Sequence, residues 1–189
     1  MTISPLKGLI PLIKALQSLN VQSADDHTNI RNVANILKQW LTKTDWLEEK
    51  HYHPDPQIGF SSWLIHEEKD HTLAINLVTW EPGREIIPHD HQTWGVVGSV
   101  NGTEKNYFWT RLDDGSKSGY ADIRREKAAI IRQAGEVICF MPNDIHSVIN
   151  ESTDVAISLH VYGKNLNYTG RSQFDPIKKT VQSFIIDYS

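Results

Sequence analysis

Two histidines one residue apart, in Pro88-His89-Asp90-His91, are the sharpest chemical signal in the chain. In an extended strand, residues two apart project to the same face, so the His89 and His91 imidazoles can converge on one metal ion. Nine histidines in 189 residues give a chance expectation of roughly 0.4 such pairs, so two surface histidines are the competing reading. His51-Tyr52-His53 repeats the spacing, but it precedes Pro54-Asp55-Pro56 in an expected loop, where surface histidine is the default. A second signal is the run from Val155 to Tyr162, which alternates. Ile157, Leu159 and Val161 face one way, and Ser158, His160 and Tyr162 the other. For an anonymous antiparallel strand, the polar set would be a solvated face. The one cysteine, Cys139, excludes an internal disulfide, a CxxC pair and a cysteine-based zinc site, which fits a reducing compartment.

The elements that must position these groups change character along the chain. Residues 1–45 read as helical. Ser4-Pro5 suits a helix start, with Leu6, Leu9, Ile13 and Leu16 at helical spacing and Pro11 expected to shorten or kink the segment. Ser23 is the expected cap of a second helix, with Asp25 and Asp26 at its positive end and Ile30, Val33, Leu37, Trp40 and Leu41 as its stripe. From about residue 57, short β-branched and aromatic runs alternate with turn residues. Asn101-Gly102 lies between two such runs and predicts a two-residue hairpin. This density of strands behind two helices predicts an antiparallel sandwich or small barrel in a single domain over 1–189, with the barrel at 50–175 and a tail at 176–189. In that tail, Val181, Phe184 and Ile186 suggest a last strand.

Composition limits the function. With 39% hydrophobic and 22% charged residues, the chain has an ordinary globular balance and can bury a core without disulfides. Its net charge of −4, without a Lys/Arg block, gives nucleic acid or an anionic membrane no electrostatic footprint. No apolar run approaches a membrane span or a signal-peptide core, so the expected location is the cytoplasm.

The frame around the histidines is similar to the two motif blocks of the cupin superfamily: Gly83, His89, His91 and Gly102, then Gly135, His146 and Asn150. The resemblance implies a mainly β fold, the cupin double-stranded β-helix with N-terminal helices, and His146 as a third ligand beside His89 and His91. Asn143 stands where the pattern usually has glycine, a tolerable exchange because Asn reaches left-handed conformations. Gly95 stands where the usual cupin has a glutamate ligand. Three imidazoles without a carboxylate leave the full metal charge and three open octahedral positions, which suits thiolate ligands.

That pattern resembles the thiol dioxygenases, the family of cysteine dioxygenase and 3-mercaptopropionate dioxygenase, over about residues 57 to 175. His89-Asp90-His91-Gln92-Thr93-Trp94-Gly95-Val96 is similar to the bacterial members. The resemblance implies Fe(II) as cofactor, a small thiol and O2 as partners, and a sulfinate as product. It also makes Ser158, His160 and Tyr162 an outer-sphere triad, in which Ser158 orients His160 and His160 presents the Tyr162 hydroxyl near the metal. Arg171, nine residues after Tyr162, matches the carboxylate-binding arginine of the mercaptopropionate enzymes; a salt bridge to Asp175 is the alternative. The stretch Gly59 to His66 lacks the arginine of mammalian-type enzymes, and no cysteine follows His91 to cross-link Tyr162. Cys139 reads as a small core residue, and Trp63, Trp80, Trp94 and Trp109 as core or cavity wall. Two other classes stay open: a non-catalytic cupin that binds a metal or small ligand, and a cupin enzyme for a non-thiol substrate.

Overall fold

The computed structural model describes residues 6–189, and the side chains of all of these except 127–132. A 3-10 turn at Lys7–Leu9 leads into helix α1 (Ile10–Gln17). Pro11 sits in the first turn of α1, where its missing N–H costs nothing, so it starts the helix and does not kink it. The Ser4-Pro5 start lies outside the described residues. Helix α2 (Asp26–Leu37) is capped by Asp25, whose carboxylate accepts the Thr28 N–H at 3.0 Å. Ser23 instead closes the preceding turn by donating to the Asn20 carbonyl. The helix ends at Leu37, so Trp40 and Leu41 of the expected stripe follow it in a turn, with Leu41 still fully buried.

The strands are β1 (Phe60–His66), β2 (Thr72–Trp80), β3 (Glu85–His89), β4 (Gly95–Asn101), β5 (Thr103–Arg111), β6 (Ile123–Gln133), β7 (Val137–Phe140), β8 (Ile145–Ile149), β9 (Ala156–Lys164), β10 (Ser172–Asp175) and β11 (Thr180–Ser183). They form two antiparallel sheets, in the orders β1-β2-β9-β4-β7 and β11-β10-β3-β8-β5-β6. Apart from the pairs β1–β2, β5–β6 and β10–β11, neighbours in each sheet come from distant parts of the chain, because the chain passes back and forth between the sheets from β2 to β10. This is a double-stranded β-helix, the cupin architecture.

The Asn101-Gly102 turn is one of those passages and not the expected hairpin: β4 pairs with β7 and β9, whereas β5 pairs with β6 and β8. Gly102 has φ +69° and a Cβ there would lie 2.9 Å from the Ala156 Cα. Only glycine fits this corner. Asn101 fixes it by donating to the Val155 carbonyl at 2.9 Å. An Asn-Gly pair supplies the left-handed turn in either setting, and the pairing partners decide which one forms.

The largest apolar cluster lies outside the barrel. Leu12, Leu16, Val33, Leu37 and Leu41 pack on Leu77, Val96, Ile157, Leu159 and Val161 of the five-stranded sheet. Both faces of that sheet are thus covered, one by helices and the other by the second sheet. The opposite face of β9 therefore points inward, and Ser158, His160 and Tyr162 are buried, which overturns a solvated face. The tail is part of the barrel: Val181 pairs with Phe174 across β10 and β11, and Phe184 and Ile186 wall the interior cavity.

Candidate metal centre and its cavity

His89 and His146 are brought together by register, since they stand directly opposite each other in the β3 and β8 pair. Strand β3 ends at His89, so His91 lies just past it, in a bend where Gln92 takes φ +54°. The chain nevertheless stays extended enough for His91 to rejoin the cluster. The ring centroids are 4.4 Å apart for His89 and His146, and 4.9 Å for His91 and His146. One ligand nitrogen from each residue lies within 4.8 Å of the others, and among the described residues no carboxylate joins them.

Hydrogen bonds on the far side of two rings fix which nitrogen faces inward. His89 Nδ1 donates to the Ile87 carbonyl at 3.0 Å, and His146 Nδ1 donates to Asn106 Oδ1 at 2.9 Å. Each therefore turns a bare Nε2 to the cavity. His146 Nε2 then faces His91 Nε2 at 3.2 Å, while His91 Nδ1 is buried without a partner. Two imidazole nitrogens this close can share a cation. Burial holds His89 down to about 4, and His91 and His146 well below the usual histidine range. All three imidazoles are neutral near neutral pH, the form that binds metal. The donor set is thus that of a mononuclear metal site.

Gly95 explains the absent carboxylate. It pairs with Tyr162 across β4 and β9, and a Cβ on it would lie 2.9 Å from the Tyr162 ring. The phenol ring occupies the space that a side chain at this position would need. Tyr162 continues a buried row: Ser158 Oγ is 2.8 Å from His160 Nε2, and His160 Nδ1 is 2.7 Å from the Tyr162 hydroxyl. Burial keeps His160 neutral, at about 3, and raises Tyr162 so that it remains a phenol.

Arg171 reaches the same cavity. It is 3% exposed, its Nε and Nη2 have no partner, and its guanidinium lies 4.0 Å from the Phe184 ring centroid. Asp175 is not its partner, because that carboxylate caps Ile177 and Lys178 and pairs with Lys178. Asp90, between the two histidines, ties the arginine's strand to the metal motif. It accepts the Ser172 N–H at 2.8 Å, and its own N–H donates to the Ser172 carbonyl. The three histidines, His160, Tyr162 and Arg171 line one cavity. Its remaining walls are mostly apolar, including Phe60, Val78, Trp80, Leu166 and Ile186, with Ser62 and Asn76 as the polar exceptions.

The sequence did not single out Asn106 or Asp90, and it pointed to Phe184 as part of a last strand and not as cavity wall. Asn106 had a signal of a kind, a polar residue in an aromatic strand run; Asp90 is visible only through long-range pairing. His51, expected at the surface, is 1% exposed and accepts the Glu48 N–H through Nδ1. It caps a short 3-10 turn and packs edge-on to Trp63, a structural role. Trp80 walls the cavity, Trp94 lies in the main core, and Trp63 packs against it. Cys139 packs, half-buried, against the same core.

Fold and site together define a double-stranded β-helix with a three-histidine candidate metal centre. No family model matches the chain. A double-stranded β-helix protein of uncharacterised function from Klebsiella pneumoniae is similar at 14% identity and TM-score 0.48, over 68% of this chain and 96% of that one. KdgF from Halomonas sp. is similar at 12% identity and TM-score 0.46, over 63% and 94%. An oxalate oxidase in complex with glycolate is similar at 16% identity and TM-score 0.47, over 66% of this chain and 61% of that one. Among the described residues, no helix is long and apolar enough to cross a membrane.

Proposed function

We infer that the protein is a mononuclear non-haem iron thiol dioxygenase that converts a small thiol carboxylate to its sulfinate, adding both atoms of O2 to sulfur. The observation that carries this reading is Arg171. A buried guanidinium with two unpartnered N–H groups shares one small cavity with three neutral imidazoles and a tyrosine hydroxyl. Leaving such donors unpaired is costly, so an anionic ligand is the natural occupant.

Iron(II) held by His89, His91 and His146 would supply adjacent open positions for a thiolate and dioxygen. Arg171 would take the substrate carboxylate through its Nε and Nη2 fork. Phe184 packs on the guanidinium and covers one face of it. The Tyr162 hydroxyl, held by His160, would offer a hydrogen bond where negative charge develops on oxygen. Among the described residues, no carboxylate lines the cavity, so a substrate ammonium has no ionic partner. This supports 3-mercaptopropionate over cysteine as the substrate.

The test is oxygen uptake by the Fe(II)-loaded protein with 3-mercaptopropionate, cysteine and cysteamine in parallel. Uptake with 3-mercaptopropionate matched by its sulfinate is the expected result. Silence with all three despite bound iron overturns the proposal and favours a binding module or a non-thiol substrate, and preference for cysteamine removes the role of Arg171. His146→Ala should lose iron retention and turnover together. Arg171→Gln should keep iron and raise KM for the carboxylate about 100-fold or more, as expected for one member of a buried charge pair.

A further inference from the structure

Glu104 of β5 is a buried acid with no part in the chemistry above. It is 2% exposed, and its Oε1 accepts the Trp80 indole N–H at 2.9 Å. The same N–H is shared with Ser158 Oγ at 3.2 Å, which sets the carboxyl beside the Ser158 hydroxyl. With the contacts from Ser158 to His160 and from His160 to Tyr162, Glu104, Ser158, His160 and Tyr162 follow one another from the acid on β5 to the cavity inside the barrel. Among the described side chains, the groups beside the carboxyl are Trp80 from β2 and Ser158 from β9, with His160 and Tyr162 behind them; Arg132 stands opposite Glu104 in the β6 register, and its side chain lies outside the described ones. The neighbouring Lys105 is committed to Glu151 at 2.8 Å.

A hydroxyl, a neutral imidazole and a phenol carry one transferable proton each, so in such a row the direction of one hydrogen bond sets all the others. An ionised Glu104 can only accept. Ser158 then donates to Glu104, His160 Nε2–H to Ser158, and the Tyr162 O–H to His160 Nδ1, leaving Tyr162 only lone pairs toward the cavity. A protonated Glu104 donates to Ser158, Ser158 to His160 Nε2, and His160 Nδ1–H to Tyr162, whose O–H then points into the cavity.

We propose that Glu104 is a positioning residue and proton store for Tyr162: its protonation sets the direction of the row and decides whether Tyr162 presents a donor or an acceptor to the bound ligand. The change balances with one proton. As a proton enters from the cavity at the Tyr162 oxygen, the phenol proton moves to His160 Nδ1, the Nε2 proton to Ser158, and the Ser158 proton to Glu104. No electron is transferred. Burial raises Glu104 to about 7, against the opposing hydrogen bonds from Ser158 and Trp80, while His160 and Tyr162 stay neutral. The acid is thus the member of the row that changes state near neutral pH.

The proposal deepens the dioxygenase reading and rests on it only for what Tyr162 then does to substrate. Its test is therefore made on the resting, metal-free full chain with 15N-labelled histidine. Long-range proton–nitrogen correlation spectra distinguish Nδ1–H from Nε2–H imidazole, with His160 assigned by the signal missing in His160→Gln. In the wild type, His160 should pass from the Nδ1–H tautomer on the acid side of neutrality to Nε2–H on the alkaline side. Glu104→Gln should hold Nδ1–H throughout, because the amide oxygen keeps the Trp80 bond and the amide N–H donates to Ser158. A wild-type tautomer that ignores pH overturns the proposal, and so does a switch that persists in Glu104→Gln. A protein that oxidises no thiol can still pass this test, and an active dioxygenase can fail it.

Discussion

His146 is held to one tautomer by a single acceptor, Asn106 Oδ1, so the candidate metal centre depends on a residue outside the ligand set. Asn106→Ala leaves the His146 Nδ1–H buried and unpaired and frees the ring to turn. Metal affinity should fall by about 10–100-fold, the usual cost of losing such a partner, as read by a metal-buffer titration. At the other end of the site, Glu104 makes a prediction about stability. Below about pH 4.5, the ordinary value, the acid is protonated both folded and unfolded, and it contributes nothing. Between 4.5 and about 7 the unfolded chain ionises first, so the folded state binds the extra proton and stability falls as pH rises. Glu104→Gln has no such proton. Relative to wild type it should gain about 3 kcal/mol across that window and level off above it, measured by urea unfolding at a series of pH values. A constant difference would mean that the carboxyl is not held protonated.

Strand β9 shows at the level of elements why part of the site was legible. Its period of two is written into eight consecutive residues, and both sets of side chains do what alternation allows: the apolar set meets the helices and the polar set faces the barrel. What the period cannot say is whether the polar face meets water, because that depends on a second sheet assembled from distant strands. The same limit explains the corner at Asn101-Gly102 and the tie between Asp90 and Ser172. It also explains why only the folded chain shows Asp175 paired with Lys178 and not with the arginine. Gly95 is intermediate: the missing glutamate was visible, and its reason, the Tyr162 ring across the strand pair, was not. On the proposed dioxygenase reading, Gly95→Ala should push that ring off His160, keeping metal binding but losing most thiol-dependent oxygen uptake. On the opposite face of β4, a Cβ at Gly98 would come within 2.5 Å of Leu41 and 3.0 Å of Leu37. Gly98→Ala should therefore separate helix from sheet and cost about 1–3 kcal/mol, with metal affinity unchanged.

For the whole molecule, the decisive fact is that four imidazoles are buried in the neutral form inside one small barrel. His89 is held at about 4, His160 at about 3, and His91 and His146 well below their usual range; burial lowers His51 as well. A histidine whose folded value is depressed contributes stability that is complete above the unfolded value near 6.5 and is lost as pH falls toward the folded one. Glu104 works in the opposite direction by one proton over the upper part of the same range. Between about pH 6 and 5 the unfolded chain should therefore bind about three more protons than the folded one, a loss of about 4 kcal/mol per pH unit. Against a typical domain stability of about 5–15 kcal/mol, the metal-free barrel should unfold within a few units below neutrality, before most carboxylates titrate. A metal ion on His89, His91 and His146 competes with protons for the same lone pairs and binds only the folded chain, so it should move this acid transition to lower pH. Denaturant unfolding of the metal-free and zinc-loaded chain across this range measures both effects. A slope of less than one proton in the metal-free chain would show that the imidazoles are not buried neutral, and identical transitions with and without zinc would show that they do not form a metal site.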